Sequence, residues 1–182
     1  MLFLPVPPDE PSSLSKLQYY WEDEEDEQGQ LFDLYEEESK VATLFIPVEC
    51  IRTVQIRLGS TVLDLKDCSS FFSHYLLLAS KEGGQTLGYI KKNTYKPTEG
   101  TISLQKQTYG WKALHRPDGS LMLMDWHKRK LFTYHYTDDF VRLMLSDYGR
   151  NDLQLIPLLC IGLYLLPIWH SANDTGLLTF KL

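Results

Sequence analysis

Leu153-Gln154-Leu155-Ile156-Pro157-Leu158-Leu159-Cys160-Ile161-Gly162-Leu163-Tyr164-Leu165-Leu166-Pro167-Ile168-Trp169 carries no charge, and apolar residues occupy nearly every position from Leu155 onward. A helix made of it has no polar face to turn toward water, so it has to be surrounded. Pro157 suits the first turn of a helix, where its missing N–H would go unpaired in any case, and Pro167 cannot continue one. The two prolines bracket a helix over 157–166. A membrane span needs roughly 20 apolar residues, whereas a run of 10 to 14 more often marks a buried core helix. The buried helix is therefore the preferred reading. The alternative is a membrane-inserted protein that uses 153–169 as an anchor or span. If the helix is buried, the residues upstream should form its wall.

Those residues read as strands. Aromatic residues make up 13% of the chain, with 11 Tyr and 8 Phe, and flat side chains pack well on a pleated surface. In 51–57, Ile51, Thr53, Gln55 and Arg57 face one way and Arg52, Val54 and Ile56 the other, and the pattern resumes at Val62 and Leu63 after Gly59-Ser60. Strand-forming runs also occur at 16–21, 31–35, 41–46, 71–79, 86–91, 101–107, 111–115, 121–126, 130–136 and 140–145. Several joints share a glycine turn, as in Arg116-Pro117-Asp118-Gly119-Ser120, Glu27-Gln28-Gly29-Gln30 and Glu82-Gly83-Gly84-Gln85. A meander of this many strands tends to close, because closure removes its edges, and a barrel of about 12 strands has room inside for more than its own side chains. The expected fold is mainly β: a closed antiparallel β-barrel of about 10–12 strands enclosing a hydrophobic C-terminal helix. It forms one domain over 1–182, with a Pro/Ser-rich N-terminal arm at 1–15 and an acidic loop at 22–30.

Charge is unevenly placed. Residues 1–50 hold 13 acids and two bases, whereas 51–182 hold 11 acids and 16 bases. The body is basic, and the acidity of the whole comes from a short N-terminal segment able to shield, or compete for, whatever the body binds. Its centre is the run Glu22, Asp23, Glu24, Glu25, Asp26 and Glu27, six like charges that cannot be buried together. It reads as a solvated loop, with a partner-binding or inhibitory role as the functional alternative. The apolar N-terminus has no basic residue ahead of it and is broken by prolines, unlike a signal peptide. Cys50, Cys68 and Cys160 are an odd number with no close pairing and read as reduced thiols. A cytoplasmic protein, able to associate with membranes, is expected.

Enzyme signatures are missing: there is no Gly-x-x-x-x-Gly-Lys-[Ser/Thr], Gly-x-Ser-x-Gly, His-Glu-x-x-His or Cys-x-x-Cys. The five histidines, His74, His115, His127, His135 and His170, do not have the spacing of a metal centre. His74 and His135 read as ordinary buried or half-buried strand residues. Cys160, inside the apolar helix, should behave as a small inert hydrophobe. No catalysis, cofactor or metal is expected.

Two basic clusters remain. Lys128, Arg129 and Lys130 follow His127 beside Trp126, and Lys91, Lys92 and Lys96 lie near Tyr95. Cations beside aromatics suit a phosphate or an acidic headgroup at a membrane surface, although basic hairpin tips also serve solubility alone. Phe132, Tyr134 and Tyr136 form an aromatic stripe of the kind on which bases stack. The apolar strands on either side make it core, and nucleic acid is not expected as a partner. The reading is a monomeric, non-catalytic binding or tethering module for acidic phospholipid headgroups or a protein partner.

Thr86-Leu87-Gly88-Tyr89-Ile90, the stretch Trp111-Lys112-Ala113-Leu114-His115-Arg116-Pro117-Asp118-Gly119 and the apolar helix carry a resemblance over roughly residues 16–169. In this order of strand, turn and helix the chain resembles the Tubby C-terminal domain and its relatives, the LURP-one-related and phospholipid scramblase-like proteins. The resemblance implies a barrel threaded by a hydrophobic helix, and phosphoinositide binding or lipid movement in some members, without catalysis. The basic pocket of the Tubby group has no residue-by-residue counterpart here, so no lipid ligand is carried over.

Overall fold

The computed structural model describes residues 2–3, 19–47, 53–68, 75–96, 98–114, 119–136 and 140–174. Its strands are β1 (Leu2–Phe3), β2 (Tyr19–Asp26), β3 (Gly29–Glu36), β4 (Ser39–Pro47), β5 (Thr53–Leu58), β6 (Thr61–Asp67) and β7 (Tyr75–Ser80). There follow β8 (Thr86–Lys92), β9 (Glu99–Leu104), β10 (Gln107–Leu114), β11 (Gly119–Asp125), β12 (Lys130–Tyr136) and β13 (Phe140–Leu145). A 3₁₀ turn (Gly149–Asn151) then leads into helix α1 (Leu155–Asp174). From β2 to β13 every strand pairs antiparallel with the next, a plain meander. The short β1 pairs in parallel with β13, Leu2 opposite Phe140 and Phe3 opposite Val141, and lies beside β2. It thus bridges the two end strands of a nearly closed barrel.

Because successive strands reverse direction, their connections alternate between two rims. The rim where α1 begins, the near rim, carries the tips at 37–38, 59–60, 81–85, 105–106 and 126–129, and the segment 146–154. The far rim carries the β2–β3 tip at 27–28 and the β8–β9 connection.

The period of two along each strand sends alternate side chains inward. Leu34, Leu44, Val54, Ile56, Leu65, Leu78, Ile90, Ile102, Leu121, Leu123, Phe132 and Tyr134 are buried there, in one cluster with the helix. Every residue from 158 to 166 is buried. Such a run passes through more than two helical turns and so faces every direction; the wall must lie on all sides. Each Leu or Ile fully buried in this way contributes about 1.5–3 kcal/mol. One hydrogen-bonded chain runs through the interior: Trp21 Nε1 donates to Tyr134 Oη at 3.0 Å, and Tyr134 Oη donates to the carbonyl of Leu159 at 3.0 Å.

The mainly β barrel with one C-terminal helix is as expected, but several details differ. The helix does not stop at Pro167; it continues to Asp174. A proline removes only its own bond to the carbonyl four residues back, here that of Leu163, at a cost of about 3 kcal/mol. The packed turns upstream, where every residue from 158 to 166 is buried, offset that loss. Among the described residues no helix is long and apolar enough to cross a membrane. The acidic run is not a loop over 22–30. Glu22 to Asp26 belong to β2, whose hairpin tip is only Glu27 and Gln28. Glu22, Asp23 and Glu24 are exposed there, so strand geometry and solvation of the charges are compatible. The expected strand 101–107 is broken by a turn at Gln105 and Lys106, which take left-handed φ values of 46° and 71°. The arm at 4–15 lies outside the described residues.

Candidate functional site

With the barrel filled by its own helix, the exposed charged side chains among the described residues stand at the rims and on the outer face. At the near rim, Asp125 ends β11 and is buried. Its carboxylate accepts from Arg129 N and Arg129 Nε at 2.8 Å each, and Nη2 approaches to 2.7 Å. The backbone closes the same tip, Lys128 N donating to Asp125 O and Asp125 N to Arg129 O, both at 3.0 Å. Lys128 takes a left-handed φ of 65°. Tyr148 completes the arrangement, its ring 4.0 Å from the Arg129 guanidinium carbon and its hydroxyl donating to Asp125 Oδ2 at 3.1 Å. Burial acts to raise the Asp125 carboxyl, but the hydrogen bonds from Arg129 and Tyr148 outweigh it and hold it below its ordinary value.

Arg129 is therefore engaged within the protein. Lys128 and Lys130, its neighbours, are exposed and have no ion pair among the described residues. Trp126, at the start of the tip, is 71% exposed. The segment leading to α1 is fixed alongside: Tyr109 Oη donates to Asp152 Oδ1 at 3.0 Å, Asp152 Oδ1 also accepts from Gln154 N at 2.8 Å, and Gln154 Nε2 reaches Gln105 Oε1 at 3.0 Å. Leu153, between these polar anchors, is 90% exposed.

The second cluster sits at the far rim and is less free. Lys91 Nζ stacks 4.7 Å over the Tyr89 ring on the outer face. Lys92 is half-buried, and burial lowers its ammonium below the ordinary lysine range. Lys96 lies 4.0 Å from Glu99, which is 3.2 Å from Lys112. Asn93 Oδ1 accepts from Tyr95 N at 3.0 Å and Lys96 N at 3.3 Å, a side-chain turn that leaves Tyr95 94% exposed. The acidic strand β2 ends at this rim, with Glu27 exposed at its tip. The two basic clusters are thus not brought together; they stand at opposite ends.

Phe132, Tyr134 and Tyr136 are core, as their apolar neighbours implied. His135 is exposed on the outer face of β12, not buried, because it alternates with that stripe; His74 lies outside the described residues. Cys160 is buried, and burial pushes its thiol up, which disfavours the reactive thiolate. Among the described residues no group of His, Cys, Asp and Glu is placed to hold a metal. Sequence reading missed Lys106 and Leu153. Lys106 was hidden inside an expected strand, and Leu153 was simply the first residue of the uncharged stretch that leads into the helix. No protein-family model, curated protein or solved structure matches the chain.

Proposed function

We propose that the protein is a non-catalytic binding or tethering module that recognises acidic phospholipid headgroups through exposed lysines at its hairpin tips. The observation that carries this reading is the filled barrel: a ligand has only the rims and outer face to engage, and the rims present cations beside exposed aromatics. Lys128 and Lys130 with Trp126 are the best-placed set. Membrane contact of this kind is peripheral and made by a monomer from the cytoplasmic side. Kinship with the Tubby-like proteins belongs to the same proposal, supported by the antiparallel meander and the helix within it.

Flotation with vesicles tests the reading. Phosphatidylcholine vesicles carrying phosphatidylserine should capture the protein, phosphatidylcholine alone should not, and capture should fall as salt rises. Equal behaviour toward both vesicle types removes the reading.

A protein partner is the second reading, favoured by the exposed carboxylates Glu22, Asp23 and Glu24 along β2. Replacing them by Gln and Asn separates the two. Weaker association with a basic partner protein supports a recruiting role, whereas stronger vesicle capture supports a shielding one.

A further inference from the structure

The near rim differs from the far rim in ways that single it out. Lys106 and Lys128 project from two tips that are next neighbours at this end, those of β9–β10 and β11–β12, and Lys130 opens β12 directly after the second. All three are exposed, and none has an ion pair among the described residues. Two large apolar side chains, Trp126 and Leu153, are exposed at the same end. The segment 146–154 ties these features into one surface, through Arg129 and Tyr148 to one tip and through Gln154 and Gln105 to the other. Unpaired cations around exposed Trp and Leu form the pattern of an interfacial contact, in which the apolar groups enter the headgroup region and the lysines meet its phosphates.

Left-handed backbone is a feature of the near-rim tips: Glu37 holds φ 56° and Gln105 φ 46°. Lys106 and Lys128 both hold positive φ, 71° and 65°, a conformation that glycine adopts freely and lysine at a cost. Glycine suits both positions, so either lysine can be removed without loss of the fold.

We infer that the near rim docks on an anionic membrane surface, with Trp126 and Leu153 inserted among the headgroups and Lys106, Lys128 and Lys130 holding lipid phosphates. The inference rests on the headgroup-binding reading and specifies its surface. The barrel then stands on the β9–β12 side of this rim, tilted away from the exposed Glu37, Glu38 and Glu82 of the β3–β4 and β7–β8 tips, with Asp147 3.9 Å from Arg150, and the acidic end of β2 lies at the opposite rim. Arg129 takes no part, because Asp125 and Tyr148 hold it.

The test compares Lys106→Gly, Lys128→Gly and Trp126→Phe variants with the wild-type chain on phosphatidylserine-containing vesicles. Each glycine variant relieves a left-handed lysine, so its thermal midpoint should be unchanged or higher, while its partitioning falls about fivefold per lysine removed. A loss of binding without a loss of stability is not what a merely structural residue gives. Tryptophan fluorescence of the bound wild type should be quenched by phospholipid brominated near the headgroup, and Trp126→Phe should abolish that quenching. Three results overturn the inference. Wild-type partitioning by the glycine variants, with loss in Lys91→Gln and Lys96→Gln, moves the contact to the far rim and leaves the headgroup reading standing. Displacement from vesicles by millimolar soluble glycerol phosphate makes the ligand a free phosphate and not a surface. Failure of the wild type to bind any anionic vesicle removes the headgroup reading, and the inference with it.

Discussion

A β-carbon built on Gly162 would lie 2.9 Å from Cε2 of Tyr134 and 3.1 Å from Cε2 of Phe132. The helix touches β12 at the one position where it has no side chain. Tyr134 cannot swing aside without cost, since its hydroxyl is held by both Trp21 and Leu159. Alanine at this position adds about 1 kcal/mol of helix propensity, but overpacking a closed core costs about 1–3 kcal/mol. Gly162→Ala should therefore destabilise by about 1 kcal/mol, read as a lower denaturation midpoint at unchanged slope. A higher midpoint would mean that the rings are free to move.

The hydroxyl of Tyr134 joins β2, β12 and the helix. Tyr134→Phe leaves the buried indole N–H of Trp21 without its acceptor, at about 1–3 kcal/mol. Trp21→Phe removes the donor instead. In a double-mutant cycle by urea denaturation the two losses should fall short of additivity by about 1 kcal/mol; strict additivity would show that the bond contributes nothing.

Acid should loosen the near rim. The Asp125 carboxyl is held below its ordinary value by Arg129 and Tyr148 against the opposing effect of burial. A depressed folded-state pKa gives stability that is present above the unfolded value, about 3.9, and is lost as pH falls through the folded value. Asp125→Asn should lower stability at neutral pH, and the gap to the wild type should close at pH values below about 4. A gap independent of pH would place the effect in packing alone.

Leu163 is buried near the middle of the helix. Leu163→Asp puts an isolated charge inside the barrel, a cost beyond the roughly 5–15 kcal/mol margin of a domain. The variant should be insoluble or unfolded by circular dichroism, and a native spectrum would contradict enclosure.

Much of this architecture could be read from the residues because hydrophobic pattern dictates it. The uncharged stretch around Gly162 demanded a surround, and the alternation in β5 and the aromatic stripe of β12 supplied one. Local chemistry was harder to read. Gln105 and Lys106 form a tight turn with no glycine, proline or asparagine to mark it, so β9 and β10 looked like a run that continued to Gln107. Glu22 to Asp26 looked too charged for a strand, yet β2 exposes Glu22, Asp23 and Glu24 and keeps Trp21 inside. Pro167 was read as a stop, though tertiary packing overrides the loss of one hydrogen bond. At the candidate site, Lys128 and Lys130 were visible as a cluster. That Arg129 is held by Asp125, four residues earlier, depends on the turn geometry and is not visible in composition. The partnership of Lys106 with Lys128 depends on which strands are neighbours.

Cys160 offers the most direct measurement of the enclosed helix. In a Cys50→Ser, Cys68→Ser background, a soluble thiol reagent should label it no faster than the barrel opens globally, with rates that rise in parallel with unfolding in denaturant. Prompt stoichiometric labelling of the native protein in plain buffer would put the helix outside the sheet and contradict that enclosure.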